Sequence, residues 1–494
     1  MKKILNWLFF PPSSISPTAA RRTADPANGT RRTWRLDDPL YSFASLDSRG
    51  RKATITTTIG KSCEGTVVFG RPGSGKSSGT AAHLSRAMLR AGYGGLVLCA
   101  KTGEADAWRA RAADAGRTDD LVFVTADGNA KLNFLDYELT EGGGNIEGVI
   151  GLLTKISEVL SPGDGRQDVW EKSGKELLRN ALDLLRLARE KMTAGTILAA
   201  CIDDGAIRGF IEAAQNNTGL SEDDKIDLDA IGGYYKREIF RHSDKTRSSL
   251  TMSLSATLGN FKRGVMRQLF ATETTVRPTD TRQGKIIIVD LPVKKYNDLG
   301  ILAGAVWKSS FQNVMENIVA TEATRPVFVF ADEYQFFTGA CDEVFQSTAR
   351  SARISSVYLT QNFPGLKNKY GGDLKAEAKA KALLGSMATK IFHSNDCPET
   401  NTLAAETIAK TLQERESHNT NASFGGQDGG AVQGSGGTST NLVVDYQLHP
   451  VEFQNLSTGG TENEHKVTAV LFQGGREFPN AKRFTHVIYD AIYE

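Results

Sequence analysis

Gly70-Arg71-Pro72-Gly73-Ser74-Gly75-Lys76-Ser77 follows the spacing G-x-x-x-x-G-K-[ST]. Glycines at these positions let backbone N–H groups converge on an anion at a helix N-terminus, where the helix dipole favours negative charge. Lys76 then neutralises terminal phosphate oxygens, the Ser77 hydroxyl suits a magnesium ligand, and Ser78 continues the phosphate-binding turn. A second acidic strand end is needed for hydrolysis, and Val327-Phe-Val-Phe-Ala-Asp332-Glu333 supplies it. Asp332 is expected to hold the Mg2+ and Glu333 to polarise the attacking water; the bland alternative is that the pair only caps the next helix. Gln361 closes the following strand and is expected at the same sheet edge as a γ-phosphate sensor. Arg350 and Arg353 precede that strand, so they should lie about 17 to 20 Å from their own nucleotide. They read either as arginine fingers offered to a neighbouring subunit or as a solvated helix end. No N-K-x-D guanine signature occurs, which favours ATP.

These residues need a parallel sheet to bring them together. Short apolar runs at Thr66–Phe69, Leu96–Cys99, Leu121–Val124, Lys285–Val289, Val327–Phe330, Ile354–Thr360 and Thr389–Phe392 alternate with helical stretches. That pattern predicts an α/β fold around a mostly parallel sheet flanked by helices on both faces. Residues 143–276 lack strand signals, and Leu177, Leu178, Leu182, Leu184 and Leu185 form a helical stripe. An all-α domain is therefore expected inside the nucleotide-binding domain, dividing it into 41–142 and 277–418. Residues 1–40 read as a flexible basic arm, 419–440 as a Gly/Ser-rich loop, and 441–494 as the segment completing the α/β domain, with a strand at Val467–Phe472.

Composition excludes several classes. Among 494 residues, 59 Lys plus Arg offset 57 Asp plus Glu, so net charge alone gives no reason to invoke nucleic acid. Five dispersed cysteines without a C-x-x-C pair suit a reduced cytoplasmic protein, and seven histidines without paired spacing suggest no zinc site. No apolar run approaches the roughly 20 residues of a membrane-spanning helix. The Lys2-Lys3 start, stopped by Pro11-Pro12, reads as a frayed terminus, with a weak interfacial anchor as the alternative. One local stretch is basic: Lys236, Arg237, Arg241, Lys245, Arg247, Lys262, Arg263 and Arg267 stand against Glu238 and Asp244, interleaved with Tyr234, Tyr235, Phe240 and Phe261. Such a stretch suits DNA phosphates with some base stacking; the alternative is a solvated helical surface.

Taken together, these motifs resemble those of the type IV secretion coupling proteins, the ring-shaped ATPases of bacterial conjugation, and the resemblance implies a RecA-like P-loop NTPase fold. Lys101-Thr-Gly-Glu104 is similar to the family's K-G-E motif, Leu132-Asn133-Phe-Leu135 to its Asn-centred segment, Arg350-Ser-Ala-Arg-Ile354 with Gln361 to the stretch after the acidic strand, and Asp168-Val-Trp170 to the start of its all-α domain. The resemblance spans roughly Gly65 to Thr400. Ala100 departs from the aspartate that commonly precedes K-G-E, leaving Glu104 as the local carboxylate, and the family's N-terminal membrane helices have no counterpart in this sequence. The resemblance implies ATP and Mg2+ as cofactors, a homo-oligomer of hexameric type, and DNA as substrate. It also implies a relaxase or other secreted protein and a membrane secretion-channel component as partners. An adaptor that recruits protein substrates without moving DNA is the alternative.

Overall fold

The computed structural model describes residues 33–142, 144–160, 172–339, 341–423 and 433–492. Most of the expected basic arm and the Asp168-Val-Trp170 segment lie outside them. The framework is an eleven-stranded sheet. Its strands in chain order are β1 (Pro39–Leu46), β2 (Lys52–Thr58), β3 (Thr66–Phe69), β4 (Gly94–Leu98), β5 (Leu121–Val124), β6 (Ile286–Val289), β7 (Val327–Ala331), β8 (Ile354–Thr360) and β9 (Thr389–Phe392), followed late in the chain by two more. The spatial order β9-β3-β8-β7-β4-β6-β5 is parallel throughout.

Alternation explains why β3, β4, β6 and β7 read as continuous apolar runs. Val67 and Phe69, Leu96 and Leu98, Ile287 and Val289 face one core. Val68, Val97, Ile286, Ile288, Phe328 and Phe330 face the other. Both faces are covered, so neither set of alternate positions can be polar. The predicted RecA-like α/β arrangement is the one observed.

Three features depart from the sequence reading. First, β1 and β2 form a hairpin before the first expected strand, burying Tyr41 and Phe43. Second, the ends of the expected 419–440 loop are strand: β10 (Lys410–Ser423) and β11 (Gln433–Tyr446) pair in register as a separate two-stranded sheet, and 424–432 lie outside the described residues. Leu412, Leu442 and Val444 of this ladder are exposed, while Tyr446 at its base packs on the main core. Third, the tail adds β12 (Lys466–Gln473) and β13 (Phe484–Asp490), which continue the sheet antiparallel from β9 and on to β1.

The helical region is continuous with the sheet. Helix α1 (Ile146–Leu160) packs on α2 (Asp298–Glu316), a helix outside the expected all-α segment, and Val149, Leu153, Leu177 and Leu185 share one core with β3 and β4. The five leucines of the predicted stripe are all buried in helix Lys172–Leu187. Asn133 ties the two parts together: it is buried, caps the helical turn Phe134–Tyr137, and donates through Nδ2 to Met192 O at 3.0 Å.

Leu412, Leu442 and Val444 of the β10–β11 ladder are exposed, so the 412–444 part should contribute little to the core. Replacing 412–444 by a short Gly/Ser turn should change the melting temperature by less than about 4 °C in calorimetry, whereas a loss of more than about 10 °C would place the hairpin within the cooperative unit.

Candidate functional site

The site lies where β3, β8, β7 and β4 end side by side. After Phe69 the chain turns through Gly70–Gly75 into a wide helical turn, Lys76–Ala81, that continues as helix Ala82–Arg90. Gly75 has φ +80°, and a Cβ there would collide with Val467 of β12, so only glycine fits. Lys76 is buried; burial depresses its ammonium, while the charges of Asp332 and Glu333 partly offset this. Ser74 Oγ is buried without a hydrogen-bond partner among the described residues. Arg71 faces outward, 3.3 Å from Asp396.

From β7 the chain places Asp332 and Glu333 opposite this turn. Ser77 Oγ donates to Asp332 Oδ2 at 2.7 Å, and Glu333 N donates to Asp332 Oδ1 at 2.9 Å. Glu333 is buried and left-handed, φ 50° and ψ 46°, a conformation costing a non-glycine residue about 1 to 2 kcal/mol. Its carboxylate is surrounded by donors. Lys101 Nζ lies 2.5 Å from Oε1 and 3.6 Å from Asp332 Oδ2. Gln361 Nε2 and Gln335 Nε2 donate to Oε2 at 3.0 and 2.7 Å. Burial works to raise its pKa, but the bonds from Lys101 and Gln335 and the charges of Lys101 and Lys76 prevail, holding it near about 2. Gln361 is itself fixed by Asn395 Nδ2, which donates to its backbone oxygen at 2.8 Å.

Glu104 opens helix Glu104–Asp114 and accepts from Ala100 N at 2.9 Å. Burial, reinforced by the charge of Asp332 and opposed by Lys101, pushes its carboxyl up to about 8. Lys101 is raised despite burial, because Asp332, Glu333 and Glu104 surround it. Lys76, Ser77, Lys101, Glu333 and Gln361 line a cleft of about 420 Å³ that also includes Pro72, Gly73, Ser78, Lys294 and Phe336. The hydroxyl and carboxylate of Ser77 and Asp332 are suited to a divalent cation, the turn and Lys76 to phosphate, and Glu333 to a water.

Comparison with known proteins bears on this arrangement. Residues 326–451 match the family model described as the TraM recognition site of TraD and TraG. The plasmid coupling protein TrwB bound to a non-hydrolysable ATP analogue superposes with TM-score 0.59 at 14% identity, covering 94% of this chain and 98% of that one. Its complex with ADP and Mg2+ gives 0.57 at 17% identity, covering 92% and 96%. The fold is that of the conjugative coupling proteins. Its complex with a non-hydrolysable GTP analogue gives 0.56 at 16% identity, covering 94% and 97%. No curated protein sequence matches the chain. The resemblance to the coupling proteins read from the motifs thus extends to the architecture.

Against that coupling-protein frame, the structure brings Lys76, Ser77, Asp332, Glu333 and Gln361 together. It also adds two residues the sequence reading gave no role. Lys101 reaches Glu333 from the neighbouring strand end, and the K-G-E resemblance was its only signal. Gln335 is turned back by the left-handed Glu333, a feature no spacing rule reveals.

Two expectations are corrected. Arg353 cannot serve a neighbour: it is buried, has φ 56°, and its guanidinium donates to Trp34 O, so the chain's own N-terminal segment covers it. Arg350 stays exposed, 3.6 Å from Glu64. In the basic stretch, Tyr234, Tyr235 and Phe261 are core residues, and Phe240 packs against Arg208 and Tyr235, so these rings are not a stacking surface. Arg247 pairs with Asp204 at 2.6 Å, while Lys236, Arg237, Arg241, Lys245, Lys262 and Arg263 are exposed.

Two predictions follow from these surroundings. Because folding raises the Glu104 pKa from 4.5 to about 8, its stabilising contribution is complete below pH 4.5 and is lost as pH rises through 8. Urea titrations should show wild type losing up to about 1.4 kcal/mol per pH unit across that window relative to Glu104→Gln. A flat difference would mean that Glu104 is ionised throughout. Arg353→Ala should destabilise the fold by about 2 to 4 kcal/mol, whereas Arg350→Ala should stay within about 0.5 kcal/mol.

Proposed function

We propose that this chain is a P-loop ATPase of the coupling-protein type, which assembles as a ring, in hexameric form, and couples ATP hydrolysis to recruitment and translocation of DNA or a nucleoprotein. The observation that carries the reading is the convergence of Ser77, Asp332, Lys101 and Gln361 on one sheet edge around an ionised Glu333. The relatives captured with ADP and Mg2+ and with an ATP analogue support the same ligands here.

The residues fit a magnesium nucleotide. The orphaned Ser74 hydroxyl lies in the turn that would hold the phosphates, and Gly75 leaves no room for a side chain there. Ser77 and Asp332 would hold the cation, which supplies charge neutralisation when bound. Lys76 would bind the terminal phosphates, Gln361 would orient the group in flight, and Glu333 would accept the proton of the attacking water. Arg350 would complete the site of an adjacent subunit. The exposed cations from Lys236 to Arg263 would contact DNA phosphates without base stacking. Among the described residues no helix is long and apolar enough to cross a membrane. A membrane secretion-channel component would be a partner. A relaxase or other secreted substrate would be the cargo.

A second reading, an adaptor that recruits protein substrates without DNA motor activity, is favoured by one observation: the family model matching residues 326–451 is named for recognition of a protein.

ATP hydrolysis measured across a protein-concentration series, with and without single- and double-stranded DNA at two salt concentrations, separates the readings. A motor should show steep concentration dependence and DNA stimulation that weakens with salt. Concentration-independent turnover indifferent to DNA would support the adaptor instead. Lys76→Ala should lose nucleotide binding and Glu333→Gln should bind while losing about 10²- to 10⁴-fold in kcat. Arg350→Ala should lose turnover with monomer binding intact.

A further inference from the structure

Behind the acidic strand end lies a fully buried cluster of charged and phenolic groups that the chemistry above does not use. Lys308, midway along α2, and Asp342, in the helix Asp342–Ala349, are 2% and 1% exposed and 2.6 Å apart. Asp342 also accepts from Gln312 Nε2 at 2.8 Å, from Gly339 N at 2.8 Å, and from the Tyr334 hydroxyl. Lys308 Nζ donates to Phe337 O as well as to both Asp342 oxygens. The pair therefore grips the segment following Glu333 at three points: the Tyr334 side chain, the Phe337 carbonyl and the Gly339 amide.

The surroundings make this grip rigid. Tyr334 is kept protonated by burial and by the Asp342 charge, so it remains a donor. Its ring stacks on Tyr358 of β8 at 3.9 Å, two residues before the strand end that precedes Gln361. Gly304, one turn before Lys308, lets α2 approach closely, since a Cβ there would meet Phe337 Cε1 at 2.5 Å. A buried ion pair generally gives no more stability than apolar residues of the same volume, so its distinctive contribution is fixed geometry. The geometry at issue is the left-handed Glu333, whose backbone conformation is unfavourable unless its flanks are held.

We infer that Lys308, Asp342 and Tyr334 form a positioning clamp that holds the turn after Glu333, and through it the carboxylate, against Gln361 and Lys101. This rests on the ATPase reading. The three residues touch no substrate and act only through Glu333.

The test uses the full chain. Tyr334→Phe removes the hydroxyl and keeps the stacked ring; the double variant Lys308→Met/Asp342→Leu replaces the ion pair by apolar volume. Both should keep KM and nucleotide affinity within about twofold while kcat falls about tenfold to a hundredfold, the cost of a small misplacement. The double variant leaves the Gln312, Gly339 and Tyr334 donors unpaired and should melt lower, so kinetics measured well below each variant's melting temperature separate positioning from stability. A double variant with wild-type kcat overturns the clamp, and if it does not fold, wild-type kcat in Tyr334→Phe does so. Should wild type bind nucleotide without turning it over, the ATPase reading fails by itself. Amide exchange at residues 333–337, which needs no turnover, then decides the clamp: faster exchange in Tyr334→Phe supports it, and unchanged exchange overturns it.

Discussion

The site depends on one strand of width. β8 lies between the strand that feeds the phosphate turn and the strand that ends in Asp332, so their axes are separated by two spacings, roughly 10 Å. That gap is too wide for adjacent backbones to share a small ligand, and narrow enough for Ser77 and Asp332 to meet through their side chains. The same order places the end of β8 on one side of Glu333 and the end of β4 on the other. Gln361 and Lys101 therefore reach the carboxylate from opposite sides. Because all four strands are parallel, every one of these ends falls on the same edge.

Charge balance at that edge is set by burial as much as by composition. Lys76 and Lys101 face Asp332 and Glu333, two against two. Glu104 would tip the balance toward the negative and oppose any phosphate, but its burial keeps it protonated at neutral pH. Ionisation is favoured where a lysine and two side-chain amides converge, as at Glu333, and suppressed where burial and the Asp332 charge outweigh the donors, as at Glu104. Glu333 and Glu104, both beside Lys101, are thus driven in opposite directions, one by the donors around it and the other by burial.

Much of this was legible beforehand. The phosphate turn, the acidic pair and Gln361 could be read because each ends an apolar run that only a doubly covered strand explains. The leucine stripe of helix Lys172–Leu187 was legible for the same reason: burial writes a period into the sequence. Where burial was absent or came from a distant segment, the pattern failed. Leu412, Leu442 and Val444 of β10 and β11 are exposed, so burial imposed no alternation on them. Arg353 looked available because the segment that covers it, at Trp34, is 319 residues away. Tyr234, Tyr235 and Phe261 looked like a stacking surface because basic neighbours at helical spacing do not reveal which way the rings turn. The Lys308–Asp342 pair was invisible for a similar reason, being two ordinary charges on separate helices.

The exclusion of Arg353 sharpens the case for assembly. Arg350 stands before β8, whose seven residues carry the chain roughly 23 Å to Gln361, and its near neighbour Glu64 precedes β3 at the same far edge. Neither rotation nor side-chain length brings Arg350 to its own cleft. Within the chain, the cations at that cleft are lysines, two of them already engaged with Asp332 and Glu333 electrostatically. Lysine neutralises phosphate as a point charge, while the planar fork of arginine can hold two oxygens of a transferring group at once. On the ATPase reading proposed above, a neighbour's Arg350 would add what the cleft lacks in geometry rather than in charge, so its effect would fall on turnover and not on binding.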